Sequence, residues 1–220
     1  MRWDRFFEDL EHQLDFEREA QRRAVDGEAE RLRVSKLELR TRLLALVGAR
    51  LGVELAVPGP EREPGGTFAG GTLRGAVAAV GADWLGLELG LEREPGPGSA
   101  GAAAAIPLRG IRSLLLDRAA LLASRGADAR DTADGGGVAR ARAASLSARQ
   151  SFGFLLRDLA RRRRPVTLHD GGGRVLHGTI DGVGADHVEL ALHEPGTARR
   201  RAEVSGYRLV PLRAVTWVQL

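Results

Sequence analysis

The sequence predicts a mainly β protein with helices (α+β): two tandem five-stranded antiparallel barrels, each preceded by a helix, plus an N-terminal amphipathic helical arm. In residues 166–220, short apolar runs alternate with turns rich in glycine and aspartate, a pattern typical of a small antiparallel barrel. The same pattern occurs earlier, in residues 53–116. Before residue 48, apolar residues instead recur at helical spacing, which predicts the arm.

The two β-rich segments match each other in order and in turn chemistry. Gly75 aligns with Gly178, and the run Val-Gly-Ala-Asp occurs at both 80–83 and 183–186. The matching segments are 53–55 with 166–168, 75–89 with 178–192, and 106–111 with 210–215. A match in several parts and in the same order indicates a tandem duplication of one fold unit.

Each copy is expected to contain a short first strand, a long second strand, an apolar third strand and a final pair around Pro-Leu-Arg. Side chains alternate along a strand, so Leu176, Gly178 and Ile180 should share one face. Gly182 interrupts this alternation, which predicts a bend or bulge in the second strand. The repeated glycine at 178 predicts a place where two backbones approach closely.

These repeated residues resemble those of the Sm-like family, which includes the Sm and LSm proteins and the bacterial RNA chaperone Hfq. The matching runs are 75–77 and 108–111 in the first copy, and 178–183 and 212–215 in the second. The resemblance covers residues 43–116 and 147–220. The Pro-Leu-Arg-Gly-Ile segment is also similar to the C-terminal domain of the ribosome maturation factor RimP.

The resemblance implies helix-led barrels that bind RNA and that form rings by pairing the edge strands of neighbouring barrels. We therefore expect free barrel edges to support homo-oligomers. The family's RNA-binding asparagine is not present, because Glu189 and Gly86 stand in that region of the third strand. That residue role is not carried over to this chain.

Composition favours a bacterial cytoplasmic protein that does not enter a membrane. The 220 residues include no cysteine, which excludes disulfides and thiolate metal sites. No segment is long and apolar enough for a membrane span, and acidic residues follow Met1 too early for a signal peptide. Basic residues are nearly all arginine, with Lys36 the single lysine, a bias that we attribute to a GC-rich bacterial genome.

We divide the chain into an N-terminal amphipathic helical region (1–47), barrel 1 (48–116), a linker (117–144), and a helix plus barrel 2 (145–220). Gly27 is expected to break the N-terminal helix in two. Apolar side chains at helical spacing mark its first part, and they need either their own barrel or a protein partner to cover them. These candidate docking residues are Trp3, Phe6, Phe7 and Leu10.

The helix before barrel 2 is expected to begin at a serine cap and to end before Pro165. The two candidate caps are Ser145 and Ser147. Its predicted apolar face consists of Ala148, Phe152, Leu155, Leu156 and Leu159.

Arginine is concentrated in two runs of the second copy, and these carry the functional prediction. One guanidinium group can bind two phosphate oxygens at once, and a run of arginines at a helix end can follow a nucleic-acid backbone. Cations at the C-terminal end of a helix also offset the helix dipole. The aromatic candidates for base stacking, unless they are buried in the core, are Trp84, Tyr207 and Trp217. The predicted nucleic-acid-binding residues are Arg161, Arg162, Arg163, Arg164, Arg199, Arg200 and Arg201.

Two other kinds of site are weaker in the sequence. The second copy holds His169, His177, His187 and His193 near Asp170, Asp181 and Asp186, but their spacing matches no metal-ligand motif. Asp181 and Asp186 are a conceivable acid–base pair, yet Asp186 repeats as Asp83, which favours turn hydrogen bonds to backbone amides. We therefore predict no catalytic residue, metal or cofactor.

The sequence thus predicts a non-catalytic cytoplasmic protein that binds nucleic acid, RNA favoured, through the arginine runs of the second copy. The alternative is a protein–protein adaptor that docks a partner through its N-terminal helix and barrel edges.

Overall fold

The computed structural model of this chain describes residues 2–56, 71–90, 102–126, 148–196 and 199–220, with side chains from residue 16 onward. The chain forms two compact units, Met1–Leu39 and Arg40–Leu220. The first unit contains the long helix α1 (Arg2–Ser35), and the second contains the sheet. Within the described ranges, no helix is both long enough and apolar enough to cross a membrane.

The second unit consists of two groups of five antiparallel strands, each preceded by a short helix. In its described residues the α-helices are α2 (Leu39–Leu44, which begins at the unit boundary), α3 (Arg118–Arg125) and α4 (Phe152–Arg161). The strands of the first half are β1 (Arg50–Leu55), β2 (Thr72–Val80), β3 (Trp84–Leu89), β4 (Ala103–Pro107) and β5 (Ile111–Leu115). Those of the second half are β6 (Pro165–Asp170), β7 (Val175–Val183), β8 (His187–Leu192), β9 (Gly206–Pro211) and β10 (Val215–Gln219).

In the described part of the chain, all ten strands form one antiparallel sheet with the order β5-β1-β2-β3-β4-β10-β6-β7-β8-β9. The prediction of a mainly β fold with helices is therefore confirmed. This pairing does not give the two separately closed barrels that the sequence predicts, because β4 pairs with β10 and the sheet has two ends, β5 and β9. The first half of the sheet thus continues directly into the second.

The two halves have the same internal register, as the sequence repeat predicts. Gly75 lies opposite Leu89 in the first half, and Gly178 lies opposite Leu192 in the second. The predicted irregularity at Gly182 is confirmed by a register shift between Ile180 and Gly182, and β2 shifts at the equivalent place, between Val77 and Ala79. Pro107 and Pro211 end the equivalent strands β4 and β9.

Each half has a hydrophobic core, and each core includes residues from the other half. The first core packs Leu43 and Leu46 against strands β1 to β4 and also contains Trp217 of β10. The second packs α4 against strands β6 to β10 and also contains Trp84 and Ala105 from the first half. This exchange of buried side chains holds the halves together, because apolar burial drives packing.

Helix α1 is continuous through Gly27, so the prediction of a break there is wrong. One glycine in a helix interior costs about 1 kcal/mol, and surface ion pairs on both sides of it offset this by a few tenths of a kcal/mol each. The pairs are Arg23 with Glu19, Arg31 with Glu28, and Arg33 with Glu30.

Helix α4 begins one residue after Ser151, whose side chain accepts a hydrogen bond from the Phe154 amide at 3.3 Å. The predicted cap at Ser145 or Ser147 is therefore wrong for this helix, and both serines lie outside the described residues. The apolar residues from Phe152 to Leu159 keep the same helical spacing when the helix begins at Phe152. Phe152, Leu156 and Leu159 are buried, as that face predicts.

Candidate nucleic-acid interface

The first arginine run forms the C-terminal turn of α4. Arg163 adopts a left-handed backbone conformation, with φ of 53°, at a position where helices usually end on glycine. The Arg163 amide donates to the Ala160 carbonyl at 3.1 Å, and the Arg164 amide donates to the Leu159 carbonyl at 3.3 Å. This turn ends the helix and sets the direction of the Arg163 side chain.

Asp181 on β7 brings the two arginine runs together. Its Oδ1 accepts a hydrogen bond from Arg163 at 2.9 Å, and its Oδ2 accepts one from Arg199. The Asp181 side chain is only 19% exposed, whereas most of the Arg163 side chain faces solvent. The hydrogen bond that Arg199 donates to Asp181 raises the pKa of Arg199. We call the surface formed by residues 161–164 and 199–201 the arginine face.

Asp158 holds two further members of the arginine face. It accepts from Arg161 at 2.6 Å and from Arg162 Nε at 2.7 Å. The bond from Arg161, followed by that from Arg162, lowers the pKa of Asp158 despite the opposing effect of desolvation. Both arginines remain mostly exposed, so each keeps guanidinium N–H groups directed at solvent.

The other three arginines of the face, Arg164, Arg200 and Arg201, are exposed. Among the described residues, they make no ion pair. Four of the seven guanidinium groups pair with two carboxylates, Asp158 and Asp181, so the charges of the arginine face sum to a net positive value. Such a local excess of one sign attracts polyanions.

One of the three aromatic candidates is exposed beside this face. Trp84 and Trp217 are buried in the cores, so neither can stack on a base. Tyr207 on β9 is 67% exposed and interacts electrostatically with Arg199. Tyr207 is thus the aromatic residue that could accompany phosphate contacts from the arginines.

The two turn aspartates make different contacts. Asp83 Oδ1 accepts a hydrogen bond from the Phe152 amide at 2.6 Å, so it caps the start of α4 rather than its own turn. Asp186 lies 2.9 Å from His187 Nδ1, and this bond lowers the pKa of Asp186. The predicted hydrogen bond within its own turn is therefore wrong for Asp83, whose side chain reaches across to the other half.

The histidines of the second copy occupy three separate places. His169 stacks on Trp217, His177 contacts His193 edge-on at 5.4 Å between ring centroids, and His187 contacts Asp186. Thr167 and Thr179 hydrogen-bond to His177 and His193, respectively, each at 2.9 Å. Within the described ranges, no group of three or more His, Cys, Asp or Glu side chains is placed to hold a metal ion.

His169 makes the stability of the fold dependent on pH. Burial lowers its pKa to about 4, from about 6.5 in an unfolded chain. Between these values the unfolded chain binds the extra proton, so we expect stability to fall as the pH drops from 6.5 towards 4. The slope is at most about 1.4 kcal/mol per pH unit, less where water reaches the ring. Urea unfolding at a series of pH values measures it.

His169→Phe should flatten this profile, because phenylalanine can stack on Trp217 but does not titrate. Part of the slope should remain, since the pKa of His177 is also lowered, first by burial and then by His193. A His169→Phe profile as steep as that of the parent would contradict the assignment.

Sequence reasoning missed two residues of the interface. Asp158 was recoverable, because it lies three and four residues before Arg161 and Arg162, the spacing of helix ion pairs. The sequence suggested Asp181 as a metal ligand or an acid–base residue, whereas its two oxygens accept hydrogen bonds from the arginines. The predicted docking residues Trp3, Phe6, Phe7 and Leu10 lie in α1, and their side chains are outside the described residues.

Comparison with known proteins adds no assignment. No protein-family model, curated protein or solved structure matches the chain. The function of the arginine face is therefore inferred from its own residues.

Proposed function

We propose that this chain is a non-catalytic cytoplasmic protein of bacterial origin that binds nucleic acid, RNA favoured, through the arginine face. The observation that carries the proposal is the convergence of Arg163 and Arg199 on Asp181. Two segments far apart in sequence thereby present guanidinium groups on one surface. A surface of this kind can contact successive phosphates of one strand.

The charges of the face favour a phosphate ligand over a single carboxylate. The face already holds Asp158 and Asp181 and still has Arg164, Arg200 and Arg201 directed at solvent. Arginine binds phosphate with two parallel hydrogen bonds. The exposed ring of Tyr207 adds a surface on which an unpaired base can stack, which favours a single-stranded ligand.

We also propose that each half is an Sm-like unit, in keeping with the resemblance of its sequence to that family. Helices precede β1 and β6, and the central strand pairs of the two halves share one register. An Sm-like unit favours RNA over DNA as the ligand. The arginines and Tyr207 support nucleic acid over other partners. The resemblance to the Sm-like family supports RNA over DNA.

Substituting Arg164, Arg200 and Arg201 with glutamine is expected to weaken RNA binding for all sequences. Each lost phosphate contact should reduce the slope of log K against log salt by about 0.7, so the triple variant should lose about 2 units of slope. Fluorescence anisotropy with labelled single-stranded RNA, from 50 to 300 mM salt, measures both affinity and slope. Thermal stability should hardly change, because solvated charges contribute little to folding.

The matched control replaces Arg50, Arg74 and Arg118, three exposed arginines of the first half, with glutamine. It removes the same charge and should leave most of the affinity and slope intact. Asp181→Asn is the opposite test, since it frees Arg163 and Arg199 and should steepen the slope. Equal losses in the two triple variants, or a parent that does not bind RNA at 50 mM salt, would rule the proposal out.

A protein–protein adaptor is the second candidate, and α1 favours it. Apolar side chains along this 34-residue helix are exposed, including Phe16 at 72%, Val25 and Leu32. Exposed apolar residues on one helix suit a partner of matching surface. Binding to a protein through α1 would be insensitive to the arginine substitutions and would be lost on deletion of residues 1–26.

A further inference from the structure

The internal junction is the place where the second half of the sheet unit sets the start of its helix on a turn of the first half. The Gln150 carbonyl accepts hydrogen bonds from the Ala82 amide at 2.9 Å and from Trp84 Nε1 at 3.0 Å. Two residues later, the Phe152 amide donates to Asp83 Oδ1 at 2.6 Å. This amide belongs to the first turn of α4, where N–H groups have no partner within the helix. The turn therefore supplies a partner that the helix itself cannot.

An apolar contact and a charge effect complete the internal junction. The Phe152 side chain is 1% exposed and lies in the core that contains Trp84 and Ala105. The Asp83 carboxylate lies at the positive end of the α4 dipole, where a negative charge is stabilising. The turn of the first half thus binds a helix start with an amide donor, a carboxylate acceptor and an apolar wall.

The equivalent turn of the second half, residues 184–187, has the same backbone arrangement. Its ring side chain is also placed alike, because a Cβ at Gly184 would lie 2.4 Å from His187 Cε1, and one at Gly81 would lie 2.0 Å from Trp84 Nε1. Each turn makes the same two backbone hydrogen bonds, at 2.7 to 2.9 Å, from amide to carbonyl: Gly81 to Trp84 and Leu108 to Asp83 in the first half, and Gly184 to His187 and Leu212 to Asp186 in the second.

The binding groups of this second turn border a cavity of about 400 Å³. Among the described residues, no backbone carbonyl accepts from the Ala185 amide. The Asp186 side chain is 92% exposed and bonds to His187, which leaves further acceptor positions on the carboxylate. Leu209, the repeat of Ala105, is 69% exposed. The amide donor, the carboxylate acceptor and the apolar wall of the internal junction are therefore all present at the cavity.

We propose that this cavity docks a segment of a partner protein that begins a helix with a serine, threonine or aspartate cap followed directly by a large apolar residue. The carbonyl before the cap accepts from the Ala185 amide, and the amide after the cap donates to Asp186. The apolar side chain packs on Leu209, and the positive end of the partner helix meets the Asp186 carboxylate, which makes the charges complementary. None of these groups belongs to the arginine face, so the proposal does not depend on the proposed function.

The occupant follows from the internal junction, because the chain itself binds a segment of this kind on the equivalent turn. There the cap is Ser151, the carbonyl before it is that of Gln150, and the apolar residue after it is Phe152. Binding at the cavity should be weaker than the internal contact. His187 has a smaller ring than Trp84, and a separate partner loses translational and rotational freedom on association, which the covalently linked α4 does not. The site therefore suits a transient partner.

The test is a titration of the full ¹⁵N-labelled chain with a synthetic peptide of residues 148–161, followed by NMR. This peptide presents Gln150, Ser151 and Phe152 in their native order. We expect saturable binding at peptide concentrations up to about 1 mM, with the largest shifts at the amides of residues 184–187. Asp186→Ala should raise the dissociation constant about tenfold, the usual effect of losing a hydrogen bond to a charged group.

Two matched controls make the test specific. Glu203→Ala removes the same charge from another exposed position of the second half and should leave the affinity unchanged. A peptide that is N-methylated at Phe152 keeps the side chain but lacks the amide donor, so it should bind the parent about tenfold more weakly. The same peptide should bind Asp186→Ala no more weakly than the unmodified peptide does, because the two changes remove one shared hydrogen bond.

Other occupants of the cavity give different results. If a segment of the chain itself filled it, Asp186→Ala would destabilise the protein as much as Asp83→Ala in urea unfolding. If a second copy filled it, Asp186→Ala would lower the mass of the protein measured by sedimentation. Either result overturns the proposal, as does a titration with no shifts at residues 184–187 or with equal affinities for the two peptides.

Discussion

Replacing Gly178 with valine is expected to lower the free energy of unfolding by about 3 kcal/mol or more, at the upper end of overpacking costs. A Cβ at this position would lie 2.2 Å from the Ala191 carbonyl oxygen of the paired strand β8. That neighbour is backbone within a ladder, so no side-chain rotation relieves the clash. Gly75→Val should behave alike, since its Cβ would lie 2.3 Å from the Glu88 carbonyl oxygen. Urea unfolding followed by circular dichroism measures both.

Gly206→Val is the matched control for these variants. Gly206 begins the strand β9, and a Cβ there would meet no atom within 4 Å, so the change should stay within about 0.5 kcal/mol. If Gly178→Val were no more destabilising than Gly206→Val, close approach of β7 and β8 would not explain the repeated glycine.

Replacing Trp84 with alanine is expected to cost about 3–5 kcal/mol, the usual range for a buried large aromatic residue. Trp84 is 6% exposed and lies in the core of the other half beside Phe152. Its Nε1 also donates to the Gln150 carbonyl, which keeps the Ala82 amide as a donor but loses this second bond in the variant. Because one side chain serves both halves, the loss should lower the unfolding midpoint of the whole sheet, as measured by urea unfolding.

Two variants separate packing from hydrogen bonding at this position. Trp84→Phe retains most of the ring volume and should cost less than Trp84→Ala. Both variants lose the hydrogen bond from Nε1, worth about 1 kcal/mol, so the difference between their costs measures packing alone. His187→Ala changes the repeat of Trp84 on the surface of the second half and should stay within about 0.5 kcal/mol. Similar costs for Trp84→Ala and His187→Ala would show that the internal junction does not depend on Trp84.

The fold was predictable wherever short-range pattern controls it. Strand alternation placed Gly178 and Ile180 in one strand, and the repeat placed Gly75 in its equivalent, because the two-residue period of a strand is visible in sequence. The start of α4 was less accessible, since several serines precede it and the choice of cap depends on local geometry. The helical break at Gly27 failed for a similar reason, because glycine lowers helix stability without forbidding the helix.

The candidate site divides in the same way. The arginine runs could be recognised in the sequence. Their positions, one at the end of a helix and one in a loop, could be predicted from the pattern around them. Their convergence on Asp181 was not, because Arg163 and Arg199 are brought together by the pairing of β7 with its neighbours and by the turn that ends α4. Spacing along the chain carries no information about two segments that meet only in the folded sheet.

The sequence by itself determined the mainly β class, the duplication and the concentration of positive charge in the second copy, because each depends on residue type and local period. Only the tertiary structure decided that the two halves join as one sheet with ends at β5 and β9. It also decided that Asp83 and Trp84 contact the other half while their repeats Asp186 and His187 border an open cavity. Strand edges differ little in sequence, so long-range packing alone selects which edge is paired and which lies at the end of the sheet.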